Sequence, residues 1–225
     1  MRNVRLLAAL GLISMAGVAQ AEVSGTATIV SDYDWRGWTQ TDYSPALQLS
    51  LDYSSGAWYA GTWGSNVGAG GTSDPSTEID FYTGFAGEFG DSGFGWDVGL
   101  NYYTYPGASD INTLEIYGKL SYSVVTGSLW YADDYFDSGE SAYYLGLDAS
   151  IPAGPVSVDL HAGLSDGDAF DNAAYTDSYT DYSIGVSYAS DNFTLGLKWV
   201  TQDSDDVTSD DRVILSFGTS FPWAK

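Results

Sequence analysis

The strictest constraint on this chain is a period of two that recurs in segment after segment, joined by connections that are alternately tight and long. In the stretch Pro45–Asn66, Leu47, Leu49, Leu51 and Tyr53 alternate with Gln48, Ser50 and Asp52. Successive side chains leave a pleated strand on opposite faces, so this is a strand with one apolar face and one polar, acidic face. It breaks at Ser54-Ser55-Gly56, where glycine tolerates the positive φ of a tight hairpin, and returns through Ala57–Asn66.

The same unit repeats along the chain. Ile79, Phe81 and Phe85 alternate with Glu78, Asp80 and Tyr82, and Trp96, Val98, Leu100 and Tyr102 with Asp97, Gly99 and Asn101. Leu114, Ile116 and Leu120 are set against Glu115, Tyr117 and Lys119, and Leu145 and Leu147 against Gly146 and Asp148. Val156, Val158, Leu160 and Ala162 oppose Ser157, Asp159 and His161. With Val23–Val30, Gly127–Asp133, Asp181–Tyr188, Phe193–Thr201 and Arg212–Phe221, the pattern predicts about twelve strands near the ~10 residues that cross a membrane at barrel tilt. Apolar residues fall on both faces of Ala57–Asn66 and Gly127–Asp133, so the registers of these two stay open.

Every second connection is short: Ser54–Gly56, Gly87–Gly93, Val125–Gly127, Pro152–Pro155 and Ala189–Asn192. Those between are longer and polar: Ser31–Ser44, Val67–Thr77, Tyr105–Asn112, Asp134–Ser141, Ser165–Thr180 and Gln202–Asp211. A soluble sandwich has no reason to sort loops by end. An all-β, transmembrane, antiparallel up-and-down barrel does, with short periplasmic turns, long extracellular loops and an even strand count. Aromatic placement agrees. Tyr53, Phe85, Trp96, Tyr122, Tyr188, Phe193 and Phe221 fall near the short turns, and Tyr33, Phe81, Tyr102, Tyr143, Tyr182 and Trp199 near the long loops, as two girdles flanking an apolar band.

Met1–Ala21 stands apart. Arg2 and Arg5, an apolar run from Leu6 to Val18 and the small-x-small Ala19-Gln20-Ala21 describe a secretory signal peptide, leaving residues 22–225 as one barrel domain. The chain has 30 Asp+Glu against 7 Lys+Arg, a formal charge of −23 that loss of Arg2 and Arg5 makes more negative. Such a chain repels nucleic acid and attracts cations. The absence of cysteine excludes disulfides and thiolate metal sites. The expected setting is the outer membrane of a Gram-negative cell. The expected partners are outer-membrane lipid and lipopolysaccharide, small ions or solutes, and the barrel-assembly machinery during biogenesis. No cofactor is implied.

The segment Ser31-Asp32-Tyr33-Asp34-Trp35-Arg36-Gly37-Trp38-Thr39-Gln40-Thr41, with Pro45-Ala46-Leu47-Gln48, Asp52-Tyr53, Gly61-Thr62-Trp63, Ser65-Asn66-Val67 and Glu78-Ile79-Asp80-Phe81-Tyr82, resembles the TorF family of porins. The motifs are dense over Ser31–Tyr82, and beyond it the likeness is one of strand and turn pattern. The resemblance implies a proteobacterial outer-membrane barrel with channel function and supplies no substrate.

A spanning strand with one face in lipid keeps its charges on the other. The inferred lumen therefore holds Asp52, Glu78, Asp80, Asp97, Glu115, Lys119, Asp148, Asp159, His161, Lys198 and Arg212. Two readings follow. These groups either line a narrow wet pore whose acidic excess favours cations, or pair across the lumen and close it, leaving a structural or binding role to the loops. Arg36, flanked by Trp35 and Trp38, is a candidate to pin an infolded first loop that narrows the pore by pairing with inward acids such as Asp80; it could equally contact a lipopolysaccharide phosphate at the rim or stack locally on aromatics. Asp166, Asp168 and Asp171 carry part of the look of a calcium loop, but lack its spacing and terminal glutamate, so a solvated acidic face is the better expectation. His161 is the only histidine, and a lipolytic Ser-His enzyme would have to use it; without a G-x-S-x-G element and with His161 turned into the lumen, the chain reads as a non-enzyme.

Overall fold

The computed structural model describes residues 21–68, 75–171, 177–204 and 211–222. Apart from Ala21, the expected leader lies outside them. Twelve strands form one closed antiparallel barrel, each paired with its neighbours in the chain. They are β1 (Glu22–Val30), β2 (Ala46–Ser55), β3 (Trp58–Asn66), β4 (Thr77–Glu88), β5 (Phe94–Thr104) and β6 (Thr113–Tyr122). The circuit continues through β7 (Val125–Ala132), β8 (Ala142–Ala153), β9 (Val156–Asp166), β10 (Tyr179–Ala189), β11 (Thr194–Gln202) and β12 (Arg212–Phe221). Pairing of β1 with β12, from Gly25 opposite Phe221 to Val30 opposite Ser216, closes the ring and leaves no sheet edge.

Three of the short turns have two residues, and each opens with a positive φ, at Gly56 (62°), Ser123 (56°) and Gly154 (70°). That geometry matches the right-handed twist of the flanking strands. The turn expected over Val125–Gly127 is instead Ser123-Val124, because Val125 already pairs with Tyr122. The two open registers resolve by parity: Trp63 and Trp130 turn inward, while Trp58 and Leu129 face out.

Apolar residues cover the outer wall. Leu47, Leu51, Leu147 and Leu215 are each at least half exposed, and so are Phe81, Phe85, Ile116 and Tyr122. A surface of this kind all round the molecule far exceeds the apolar patch that a water-soluble monomer tolerates and matches the lipid-facing band of a membrane barrel. One member of the expected loop-side girdle does not belong to it. Tyr33 is buried, because the chain beyond Val30 turns into the barrel instead of continuing along its wall.

That inward turn sets the interior. Within the first loop, Asp34-Trp35 pairs with Trp38-Thr39 as a minimal hairpin whose tip is Arg36-Gly37, with φ of 50° and 84°. Both tip residues are left-handed, as a type I′ turn requires, and a side chain on Gly37 would press to 2.8 Å of the Asp181 Cβ. Two apolar clusters anchor the hairpin. Val30, Tyr33, Ala46, Val200 and Ile214 gather with Trp35 and Trp63 on one side. Tyr135, Ala169, Phe170 and Tyr179 gather with Trp35, Trp38 and Phe136 on the other, bringing in the loops after β7 and β9.

Candidate functional site

The barrel interior divides into a dry loop-end half and a wetter turn-end half. The inward residue nearest the loop end of each strand, from Val30 and Ala46 round to Gln202 and Arg212, is buried. The first-loop hairpin and the aromatic residues of its neighbours fill this end.

Ion pairs tie the hairpin to the wall. The Arg212 Nε lies 2.9 Å from the Asp32 carboxylate, and its Nη2 2.5 Å from Asp34. Lys198 Nζ donates to the other Asp34 oxygen at 2.9 Å. Asp32 also accepts hydrogen bonds from Thr39 and Thr41 of the same loop. At the tip, Arg36 Nη2 donates to Glu115 at 2.8 Å, and the same Glu115 oxygen accepts from Tyr103. The guanidinium carbon stands 4.4 Å from the ring centroids of both Trp35 and Tyr144, and Tyr179 donates to the Arg36 carbonyl. Burial is the largest influence and disfavours the Arg36 charge, but Glu115 together with Tyr103, Tyr135 and Tyr144 outweighs it and holds the guanidinium above its ordinary value. Of the partners weighed from sequence, Asp80 is not the one chosen: it sits beside Asn101, while Glu115 lies within reach of the hairpin tip. The local aromatic stacking holds together with the ion pair, and the tip points into the barrel, away from any rim phosphate.

Each inward candidate has a definite place. Glu78 accepts from Tyr33 of the first loop, and burial, followed by Glu78 and Asp80, pushes the Tyr33 phenol well up, so it remains a donor. In the turn-end half, Asp52 accepts from Tyr82 and Ser50, Asp97 from Tyr59, and Asp159 from Ser150 and Ser187. These partners are all neutral hydroxyls, and among the described residues no Lys or Arg lies within ion-pair distance of the three. Lys119 stands over the rings of Tyr117 and Trp130 instead, at 4.8 and 5.1 Å. His161 lies between two carboxylates, with Nδ1 2.7 Å from Asp148 and Nε2 2.9 Å from Asp181, and its Nε2 also meets the Tyr144 hydroxyl at 2.7 Å. The Asp148 side chain is 53% exposed, against 4% for Asp181, so His161 marks the boundary between wet and dry halves.

The basic residues are distributed unevenly. Of the seven Lys+Arg, Arg2 and Arg5 fall in the expected leader, and Lys225 lies outside the described residues. The other four, Arg36, Lys119, Lys198 and Arg212, all lie inside the barrel, and three of them hold the hairpin. The outer loops are left with acids. Asp166 accepts from Tyr143 and from the Gly167 amide, and Asp168 accepts from Ser141 at 3.3 Å. The Asp171 side chain lies outside the described residues, and among those described no group of three acids or histidines is placed to hold a metal ion.

Sequence reasoning missed Asp181, Asp32 and Asp34. Asp181 was legible, since Asp181, Ser183, Gly185 and Ser187 alternate with the outward Tyr182, Ile184, Val186 and Tyr188. Asp32 and Asp34 carry no periodic signal, because a loop that folds inward is placed by tertiary contacts.

Similar proteins bear on the fold. Over 88% to 89% of its length the chain superposes on two solved barrels, "KdgM porin" at a TM-score of 0.57 and 11% identity, and "NanC porin" at 0.53 and 13%. It covers 99% and 98% of those chains. No curated protein sequence matches. Residues 15–221 match the model of a family described as "Bacterial protein of unknown function (Gcw_chp)", and the chain belongs to that family.

Proposed function

We propose that this chain is an outer-membrane channel whose lumen favours cations and whose loop end is closed, in the state described, by its own first loop. The observation that carries the reading is where the basic residues go. Arg36, Lys198 and Arg212 are engaged by the hairpin, which leaves Asp52, Asp97 and Asp159, bonded among the described residues only to hydroxyls, facing a wetter lumen with Lys119 as the nearby fixed cation. Carboxylates bonded only to hydroxyls in a low-dielectric enclosure set up a negative potential that concentrates cations and excludes anions.

The apolar outer wall supports membrane insertion, and the porin names of the superposed barrels support passage of small solutes. The narrower TorF assignment rests on the motifs over Ser31–Tyr82. Lipopolysaccharide around the wall, assembly machinery during insertion and a cleaved leader at Met1–Ala21 belong to the same reading. The buried ring at the loop end favours a second reading, in which the plug never leaves and the acidic outer loops do the work. Proteoliposomes distinguish the two. Uptake of a small cationic solute faster than an anionic one of equal size supports the channel, and a folded barrel that admits neither supports the permanent plug.

A further inference from the structure

The Arg36 guanidinium is enclosed by groups that belong to the barrel wall. Glu115 on β6 takes its Nη2 at 2.8 Å; Tyr144 on β8 lies under the guanidinium at 4.4 Å, and Trp130 on β7 lies at 5.9 Å. Trp130 is the ladder partner of Tyr144 on one side and of Tyr117 on the other, so the aromatic faces are fixed by the sheet. Tyr103 on β5 orients the carboxylate by donating to it at 2.8 Å, and Asp181 with His161 holds the Tyr144 hydroxyl. Glu115 is 2% exposed. None of these supports comes from the hairpin. Only Trp35, whose ring centroid is also 4.4 Å from the guanidinium carbon, travels with it.

We infer that Glu115, Trp130 and Tyr144 form a receptor site for guanidinium-bearing solutes, and that Arg36 is its resident occupant. The inference rests on the channel reading only for how a solute reaches the site. A buried carboxylate beside aromatic faces suits a guanidinium better than an alkali ion or an ammonium. The guanidinium is planar, weakly hydrated, stacks on rings and presents several donors to one carboxylate, whereas an ammonium is a compact and strongly hydrated charge. An incoming arginine-type solute displaces Arg36, frees the hairpin tip and so opens the loop end to its own class of compound. Because the occupant is tethered, its effective concentration is high, and the solute binds the native chain far more weakly than a chain lacking Arg36.

The test uses arginine amide as probe, lysine amide as control, and the intrinsic tryptophan fluorescence of the folded barrel in detergent. Arg36→Ala binds arginine amide roughly ten- to a hundredfold more tightly than Arg36→Ala/Glu115→Gln, the range set by a hydrogen bond to a charged group, and more tightly than lysine amide. Equal affinities in the two variants, or a preference for lysine amide, overturn the site. Should Arg36→Ala fail to fold, the native barrel decides: arginine amide speeds proteinase K cleavage within residues 31–41 and lysine amide does not, while equal cleavage with both overturns the site. Both readouts are blind to conduction. A negative result leaves the channel reading standing, and a barrel that does not conduct leaves the site standing.

Discussion

Replacing Arg212 with methionine removes the wall-side charge that the first loop depends on most. The Arg212 side chain is 4% exposed and contacts both Asp32 and Asp34, while the other cation on Asp34, Lys198, has a 40% exposed side chain and contributes little once solvent screening is allowed for. Breaking a buried pair by deleting one partner costs about 3–5 kcal/mol, because the remaining charge is left without compensation. Here Asp32 is left without a cation and Asp34 with the half-exposed Lys198 alone, on a loop that already faces Glu78, Asp80 and Glu115. Leaving the barrel rehydrates both loop carboxylates, so most of that cost is relieved by hairpin release and little by unfolding of the strands. The ratio of closed to released hairpin falls by roughly a hundred- to several-thousandfold. Proteinase K cleavage within residues 31–41 of the folded barrel, which follows the released population, rises by the same factor. Open probability in single-channel recordings rises with it. A folded Arg212→Met barrel with unchanged cleavage and unchanged gating would refute the view that these ion pairs hold the plug.

Other outcomes follow from the same geometry. Asp97→Asn with Asp159→Asn removes two carboxylates bonded only to hydroxyls among the described residues, so the reversal potential under a KCl gradient moves toward the unselective value, most clearly at low ionic strength where screening is weakest. Lys119→Gln moves it the other way, toward stronger cation preference, since this lysine stands over Tyr117 and Trp130 without an ion-pair partner among the described residues. Leu147→Arg places a charge in the lipid-facing wall and destabilises the barrel in vesicles by about 2–4 kcal/mol in urea titrations, whereas Ser183→Arg on the inner face costs less and alters selectivity. Gly37→Ala both strains a left-handed backbone and crowds Asp181, so it loosens the hairpin tip and raises cleavage of the loop.

What was legible in the sequence is what repeats. A period of two assigns a face to every residue once the strand is found, which is why the alternation at Leu47–Tyr53 or Ile79–Phe85 already separates wall from interior. It weakens where apolar residues occupy both faces, and the structure shows why: Trp63 and Trp130 turn inward to meet Tyr33 and Lys119, contacts made by a loop and by a neighbouring strand. The alternation of short and long connections was legible for the same reason. The plug was not. Tyr33 matches a girdle residue by position, yet Val30 ends the first strand and residues 31–41 fold inside, a choice made by Arg212, Lys198 and Glu115 from strands far along the chain. For Arg36, scarcity of bases among many acids indicated an ion pair, and only the three-dimensional arrangement selects Glu115 over Asp80.

The most direct test of the central claim is the reversal potential of Arg212→Met beside the native barrel in planar bilayers under a KCl gradient. Rare openings of the native protein, frequent openings of the variant, and a cation-selective potential in both are the predicted result. An open variant with no selectivity or with anion preference would contradict the acidic lumen, and a silent but folded variant would contradict the hairpin as the closure.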